Sequence, residues 1–337
     1  MKHGAMICAF LLLGGLSGCS SSLDSATKAS EAPSPAPATS STPAPTSSTP
    51  PQPDLRRPKF ADAPTRLQFS YPNLLQALAV DKVGNLFIGD WSPQGGRLLK
   101  LAAGETMPTV LPVTGLGGLC GITVSARGDI YALDSCSNAG STLLKIPAGA
   151  SKPIQLSPSL RAGAKDIAVD NNDNLYLICS NRFGVWVNKL APGATTPTEL
   201  SHAGLEYPTA IAVDAGNNLY LGGDNGKVVK YPIGSDTPIT LPFNKLGNKG
   251  TVSRIAVDAA GTVYRLNTVF TEVNGATRGT SGVDALPSGE STPIALNFAN
   301  ILAQSDGIAV DDSGVYVITN GNRTYDPGYM VLLRRTQ

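Results

Sequence analysis

The side chains that could do chemistry are few. Two histidines occur in 337 residues, His3 and His202, and a single imidazole in the body of the chain cannot build a multi-histidine metal site. No Gly-x-Ser-x-Gly turn exposes a nucleophilic serine, and none of the five cysteines has the Cys-x-x-Cys spacing of a redox pair. What the chain does offer is a set of side chains suited to recognition. Asp90, Trp91, Arg182, Phe183, Asp224, Asn267, Phe270, Asn320, Arg323 and Tyr325 stand in or beside the polar gaps that follow short apolar runs. Aromatic rings and guanidinium groups of this kind anchor protein or sugar contacts.

These gaps recur at a regular period, so the elements that hold them repeat as well. PTAIAVDAGNNLYLGG, residues 208–223, joins an apolar run to a polar turn and a second apolar run, and variants start at Ala77, Gly121, Asp166, Arg254 and Gly307. Aligned on the residue after the first run, the copies give Asp81, Ser125, Asp170, Asp214, Asp258 and Asp311. These are spaced by 44, 45, 44, 44 and 53 residues. A period in the forties with β-branched and apolar runs predicts an all-β chain, a six-bladed β-propeller of four-stranded blades. In the fourth unit the strands are expected at 210–213, 219–221, 227–231 and 239–241. The repeated Asp is expected to cap the turn through its side chain, a structural role. The longer last interval places an insertion, residues 267–282, in the second-to-third loop of blade five.

A Pro-x-x-Leu signature marks the fourth strand at Pro108, Pro153, Pro197, Pro238 and Pro293. The sixth blade has none after it, yet a copy at Pro64–Leu67 precedes the first blade. Residues 64–69 are therefore expected to supply the outer strand of the last blade and close the ring.

Composition agrees with such a fold. Gly and Pro number 36 and 26 while aromatics make up 6%, which favours short strands and turns over long helices. With 26 Lys and Arg against 25 Asp and Glu, there is no basic excess of the kind that neutralises phosphates, so nucleic acid is not an expected partner.

The first residues read as an address. Lys2 precedes an apolar stretch over 5–16, too short to span a bilayer but suited to an export signal. It ends in Leu16-Ser17-Gly18-Cys19, which resembles the bacterial lipobox, whose Cys is acylated after cleavage of residues 1–18. An ordinary secretory signal with an incidental cysteine is the alternative. Acyl chains on Cys19 would anchor the protein to the outer face of the cell membrane at ~0.8 kcal/mol per buried methylene. Of residues 20–53, 29 are Ser, Thr, Pro or Ala, so the segment 19–63 reads as a disordered tether, a plain spacer or a carrier of O-linked sugars. The propeller domain is assigned to residues 64–337.

The unit GIAVD-x-x-G-N-L-Y-x-x-D, with its VVKY or LLKL strand, AAG or PAG turn and TVLP strand, resembles the NHL-repeat family of propellers. That family includes the extracellular sensor domain of mycobacterial serine/threonine kinase D and related actinobacterial lipoproteins. The resemblance covers residues 64–337 and implies a non-catalytic binding, sensor-like or scaffold module for a protein or glycan ligand, without cofactor and monomeric. The family's Asp after the second strand is kept at Asp90 and Asp134 and replaced by Cys179, Gly223, Asn267 and Thr319. Calcium-dependent lactonase-like propellers offer the other implication, a metal-dependent hydrolase or lyase. Asp90, Asp134, Asp224, Asn267 and Asn320 would then be candidate mouth residues, although turns demand the same residue types. Export favours oxidised cysteines. Cys120 starts one strand of the second blade's hairpin and Cys136 follows the other, so a Cys120–Cys136 disulfide is expected, with Cys179 the free thiol or alternative partner.

Overall fold

The computed structural model describes residues 57–67, 74–92, 94–137, 140–160, 162–247, 249–273, 276–299, 302, 305–319 and 329–336. The expected signal segment and lipidation site Cys19, and almost all of the tether, lie outside them. The described chain is all β: six sheets form the blades of a six-bladed propeller.

The fourth unit shows why the repeat folds as it does. Its first strand, Pro208–Val213, is nearly all apolar because it is covered on both faces. It pairs antiparallel with Leu219–Gly223, which pairs with Val228–Tyr231, which pairs with the short outer strand Ile239–Thr240. Asp214 closes the first hairpin: its Oδ1 accepts the backbone N–H groups of Gly216 and Asn218, both at 2.9 Å, and its Oδ2 accepts the Tyr220 hydroxyl at 2.8 Å. The carboxylates of Asp81, Asp170, Asp258 and Asp311 make the same kind of cap. Ser125 does so with its hydroxyl, at 3.2 Å from the Asp129 N–H. The turn also needs a left-handed residue, supplied by Gly84, Gly128, Asp173, Asn217 and Gly261 at φ of 84°, 82°, 60°, 59° and 81°.

Blades meet through apolar clusters, one at each of the six blade boundaries. Between blades four and five the approach is close enough that a Cβ at Gly222 would lie 2.6 Å from Val252, so the second strand of blade four requires glycine there. Tyr220, Leu221, Val228 and Val252 are buried in this region.

The ring closes as the repeat count demands. Blade six consists of Ser305–Val310, Gly314–Thr319 and Tyr329–Thr336, and Thr65–Leu67 completes it, with Thr65 opposite Leu332 and Leu67 opposite Met330. The closing segment begins before the expected boundary at residue 64, because Lys59 and Phe60 also pair with Thr336 and Arg335. Phe60 then meets Tyr264 of blade five edge to face at 6.5 Å. Arg335 donates to Asp258 and, at 2.6 Å, to the Tyr264 hydroxyl.

The blade-five insertion is not a loop. It extends the hairpin into two strands of 11 residues each, Val263–Val273 and Ala276–Leu286, because Thr268–Glu272 and Thr277–Gly282 continue the pairing alternation. Cys120 is part of a disulfide, while Cys179 is free and buried, its thiol pushed up to about 11 by burial. The side chain of Cys136, the expected partner, lies outside the described residues.

Candidate functional site

The second-to-third hairpins and the blade-to-blade connections gather on one face, here called the upper rim. The Asp-capped turns occupy the opposite, lower face. Three large aromatic side chains are exposed among the described residues: Trp91 at 44%, Phe183 at 76% and Tyr207 at 50%. All three are on the upper rim, whereas the exposed aliphatic side chains lie elsewhere: Val110, Ile154 and Ile239 on outer strands, Val83 in a first-to-second strand turn, and Ile233, like the thioether of Met107, in a third-to-fourth strand connection.

Each aromatic is held by a local reason. Trp91 is the penultimate residue of the second strand of blade one, Leu86–Ser92, opposite Leu74 and Gly96. Its indole lies over Gly118, where an added Cβ would be 3.1 Å from Cδ1. Phe183 is at the tip of the blade-three hairpin, where its N–H donates to the Asn181 side chain at 2.8 Å and the Arg182 guanidinium stacks 4.6 Å above its ring. Tyr207 precedes the first strand of blade four, in a connection outside the repeat, so no recurring pattern marks it in the sequence.

Several expected rim residues are turned inward instead. Asp90 is fully buried and ion-paired with Arg97. Asp134 is buried and accepts the Gly117 N–H at 2.9 and 3.0 Å. Asn267 is 7% exposed and donates to Asp284 at 3.1 Å. Asp90 and Asn267, expected on the contact surface, are thus tied to the neighbouring strand of their own hairpins, and Asp134, a candidate mouth residue of the metal-dependent reading, is tied to the blade-one-to-two connection. Phe270 is half-buried against Gly279, while Asp224 remains exposed. Asn320, Arg323 and Tyr325 lie outside the described residues. Of the expected face, the structure brings Arg182 and Phe183 into contact; Trp91 stands two blades away.

A network missed in the sequence supports the rim between blades four and five. Arg265, 1% exposed, donates to the carbonyls of Gly226 at 2.6 Å and Asn244 at 2.8 Å, pairs with Asp284, and stacks 4.7 Å from the Phe243 ring. Its signal was a charged residue in a column occupied by Ile88, Ala132, Leu177, Leu221 and Val317 in the other blades.

A tunnel runs between the first strands. Its cavity of about 220 Å³ is lined by residues of all six blades, with Asp166 and Arg254 the charged side chains among them. Burial pushes the Asp166 carboxyl up, opposed by Arg254 and by N–H donors from Ile211 and Ile167. Among the described residues, no three His, Cys, Asp or Glu side chains come together as a metal-binding group. His202 is in the connection between blades three and four, its Nδ1 2.9 Å from the Leu205 carbonyl.

The fold and its tunnel define a six-bladed β-propeller. No family model matches the sequence, and no curated protein does. Solved structures do. A chain of a nidogen/laminin complex aligns with a TM-score of 0.52 and 16% identity over 71% of this chain and 85% of its own. A gluconolactonase from Xanthomonas campestris gives 0.56 and 13% over 82% and 96%. A streptogramin B lyase gives 0.51 and 12% over 81% and 97%. At these identities the likeness is one of fold, and propellers carry unrelated functions on one scaffold.

Proposed function

We propose that the protein is an envelope binding module, NHL-like and sensor-like in character, whose upper rim recognises a protein or glycan. The observation that carries this reading is the placement of every exposed large aromatic among the described residues on that rim. Exposed rings cost solvation without helping the core, and they are the residue types that dominate recognition surfaces. The fold neighbour in a nidogen/laminin complex supports a propeller working within a protein assembly. Export and acylation at Cys19 place the module on the outer face of the membrane, with residues 19–63 giving it reach.

The test is cross-linking from the rim. A photoreactive residue at Phe183 should capture a reproducible protein or glycan from an envelope fraction, and the same group at the outer-strand residue Thr240 should not. Equal capture from both positions overturns the assignment of the face. Bound metal together with lactone turnover by the purified protein would instead move the function to the alternative, a metal-dependent propeller hydrolase or lyase. Cys19→Ala should release the protein from the membrane fraction; unchanged partitioning removes the anchor.

A further inference from the structure

The tunnel carries a second kind of site, independent of the rim. In each of the six blades the pairing of first and second strands shifts register at the same level, between Leu75 and Ala77, Leu119 and Gly121, Ala164 and Asp166, Pro208 and Ala210, Val252 and Arg254, and Ser305 and Gly307. A bulge leaves one residue out of the ladder and re-aims its neighbour, a device common at the ends of barrels and beside functional sites. The residue after the bulge is small in blades one, two, four and six, namely Ala77, Gly121, Ala210 and Gly307. In blades three and five it is Asp166 and Arg254, and both line the cavity. Two opposite charges have thus replaced small residues at one level of a tunnel whose other lining residues are uncharged.

Neither charge is saturated. The Arg254 guanidinium donates from Nη1 to the Ser253 carbonyl at 2.8 Å and from Nη2 to the Cys120 carbonyl across the tunnel at 3.3 Å. Both acceptors belong to bulged residues. Its Nε lies 3.7 Å from Asp166 Oδ1, too long for a hydrogen bond, and five N–H groups are available in all. Asp166 accepts the Ile167 N–H on Oδ1 and the Ile211 N–H on Oδ2, each at 3.0 Å, which leaves one acceptor position on each oxygen. The Arg254 side chain remains 25% exposed, toward a cavity of about 220 Å³. That is below the ~300–1,000 Å³ typical of sites for drug-sized ligands, so the space suits a smaller solute.

We infer that the tunnel binds a small zwitterion, an amino acid with a short aliphatic side chain. Its carboxylate would take the remaining Arg254 donors and its ammonium the remaining Asp166 acceptors, while Ile122, Ile167, Ile211 and Ile308 supply apolar walls. A solute with one charge would engage only one member of the pair and leave the open hydrogen-bonding positions of the other desolvated, which is costly. Selectivity for the zwitterion follows from that penalty.

The wild-type protein tests this directly. Titration of the intact propeller with L-alanine or L-valine, followed by calorimetry or ligand-observed NMR, should show saturable binding. L-lactate, which lacks the ammonium, and isopropylamine, which lacks the carboxylate, should bind at least tenfold more weakly. Arg254→Gln and Asp166→Asn should each weaken amino-acid binding at least tenfold, with circular dichroism showing the fold retained. Trp91→Ala should leave it unchanged, which separates this site from the rim. Equal binding of the three solute classes, no binding of either amino acid at millimolar concentration, or full binding by a folded Arg254→Gln variant each overturns the inference.

Discussion

The lower and upper faces of the propeller are built by the same six repeats, yet they obey different rules. On the lower face one solution is copied around the ring. A side-chain oxygen accepts two backbone N–H groups in five of the turns and one, from Thr262, in blade five, and in blades three to five the Tyr six residues later donates to the same carboxylate, as Tyr176, Tyr220 and Tyr264 do. On the upper rim the described hairpins of blades one, three, four and five differ from one another. Blade one offers a Trp over a glycine, blade three an Arg stacked on a Phe, blade four a tight turn, and blade five a hairpin of 11-residue strands. The lower turns are constrained because every blade must reverse there at fixed cost, while the rim can vary without disturbing the sheets.

The sharpest way to break the ring is to remove what closes it. A chain starting at residue 73 lacks Lys59–Phe60 and Thr65–Leu67 and exposes the whole edge of Tyr329–Thr336. Its melting temperature should fall by more than ten degrees in a thermal scan, and a change of only a degree or two would mean that the ring holds without these strands. Next in size is a contrast among the turn caps. Asp258→Ala also strips Arg335 of its carboxylate and breaks the link between blades five and six, so it should cost about 3 kcal/mol in chemical denaturation, the low end for breaking a buried pair. Asp81→Ala, whose carboxylate serves its own turn, should cost about 1 kcal/mol, as for a lost cap.

The contrast also explains what was legible in the sequence. The blade count, the Asp caps, the four-strand order and the closing strand at Thr65–Leu67 follow from patterns repeated often enough for one misleading residue not to matter. Lys59–Phe60 were missed because two residues carry no period. The insertion of blade five was read as a loop because a stretch such as TVFTEVNGATRGT is rich in small polar residues, although its central Asn274-Gly275 is also the sequence signature of a two-residue hairpin. Asp90 and Asn267 were placed on the contact surface because residue type does not reveal direction. Both occupy gaps after a strand, and both were drawn inward by a partner distant in sequence or on the next strand, Arg97 and Asp284. Asp166 and Arg254 were visible as departures from the small residues of their column, but without the register shift nothing in the sequence said that the column lines the tunnel.

The tyrosines of the lower face give a prediction in pH. Burial, together with the Asp170 carboxylate, pushes Tyr176 up to about 12, and burial also raises Tyr220 and Tyr264. Each phenol stays protonated in the folded chain at pH values where the unfolded chain has lost the proton, so stability falls as pH rises above about 10. Melting temperature measured from pH 9 to pH 12 should therefore decline steadily through that window. Tyr176→Phe should start about 1 kcal/mol less stable, through loss of its bond to Asp170, and should decline less steeply. A parallel decline in the two proteins would show that this phenol does not set the alkaline limit.

The smallest effects on stability are expected where the largest effects on binding are. Trp91 is 44% exposed and Phe183 76%, so their truncation removes little buried surface and should change the unfolding free energy by no more than about 0.5 kcal/mol. Each Ala substitution should nevertheless weaken capture of the rim's ligand by more than about 1 kcal/mol, because exposed aromatics lose most of their solvation cost only when a partner covers them. Thr198→Ala and Thr240→Ala, exposed on outer strands, should change neither quantity. The comparison is informative because it pits two kinds of exposed residue on one scaffold against each other. If Trp91→Ala destabilises the fold as much as it weakens binding, the indole serves Gly118 and its own connection, and the contact surface shrinks to Arg182, Phe183 and Tyr207. If instead Thr240→Ala weakens capture and Phe183→Ala does not, the partner pairs along the outer strands and the upper rim is only the place where the blades were free to differ.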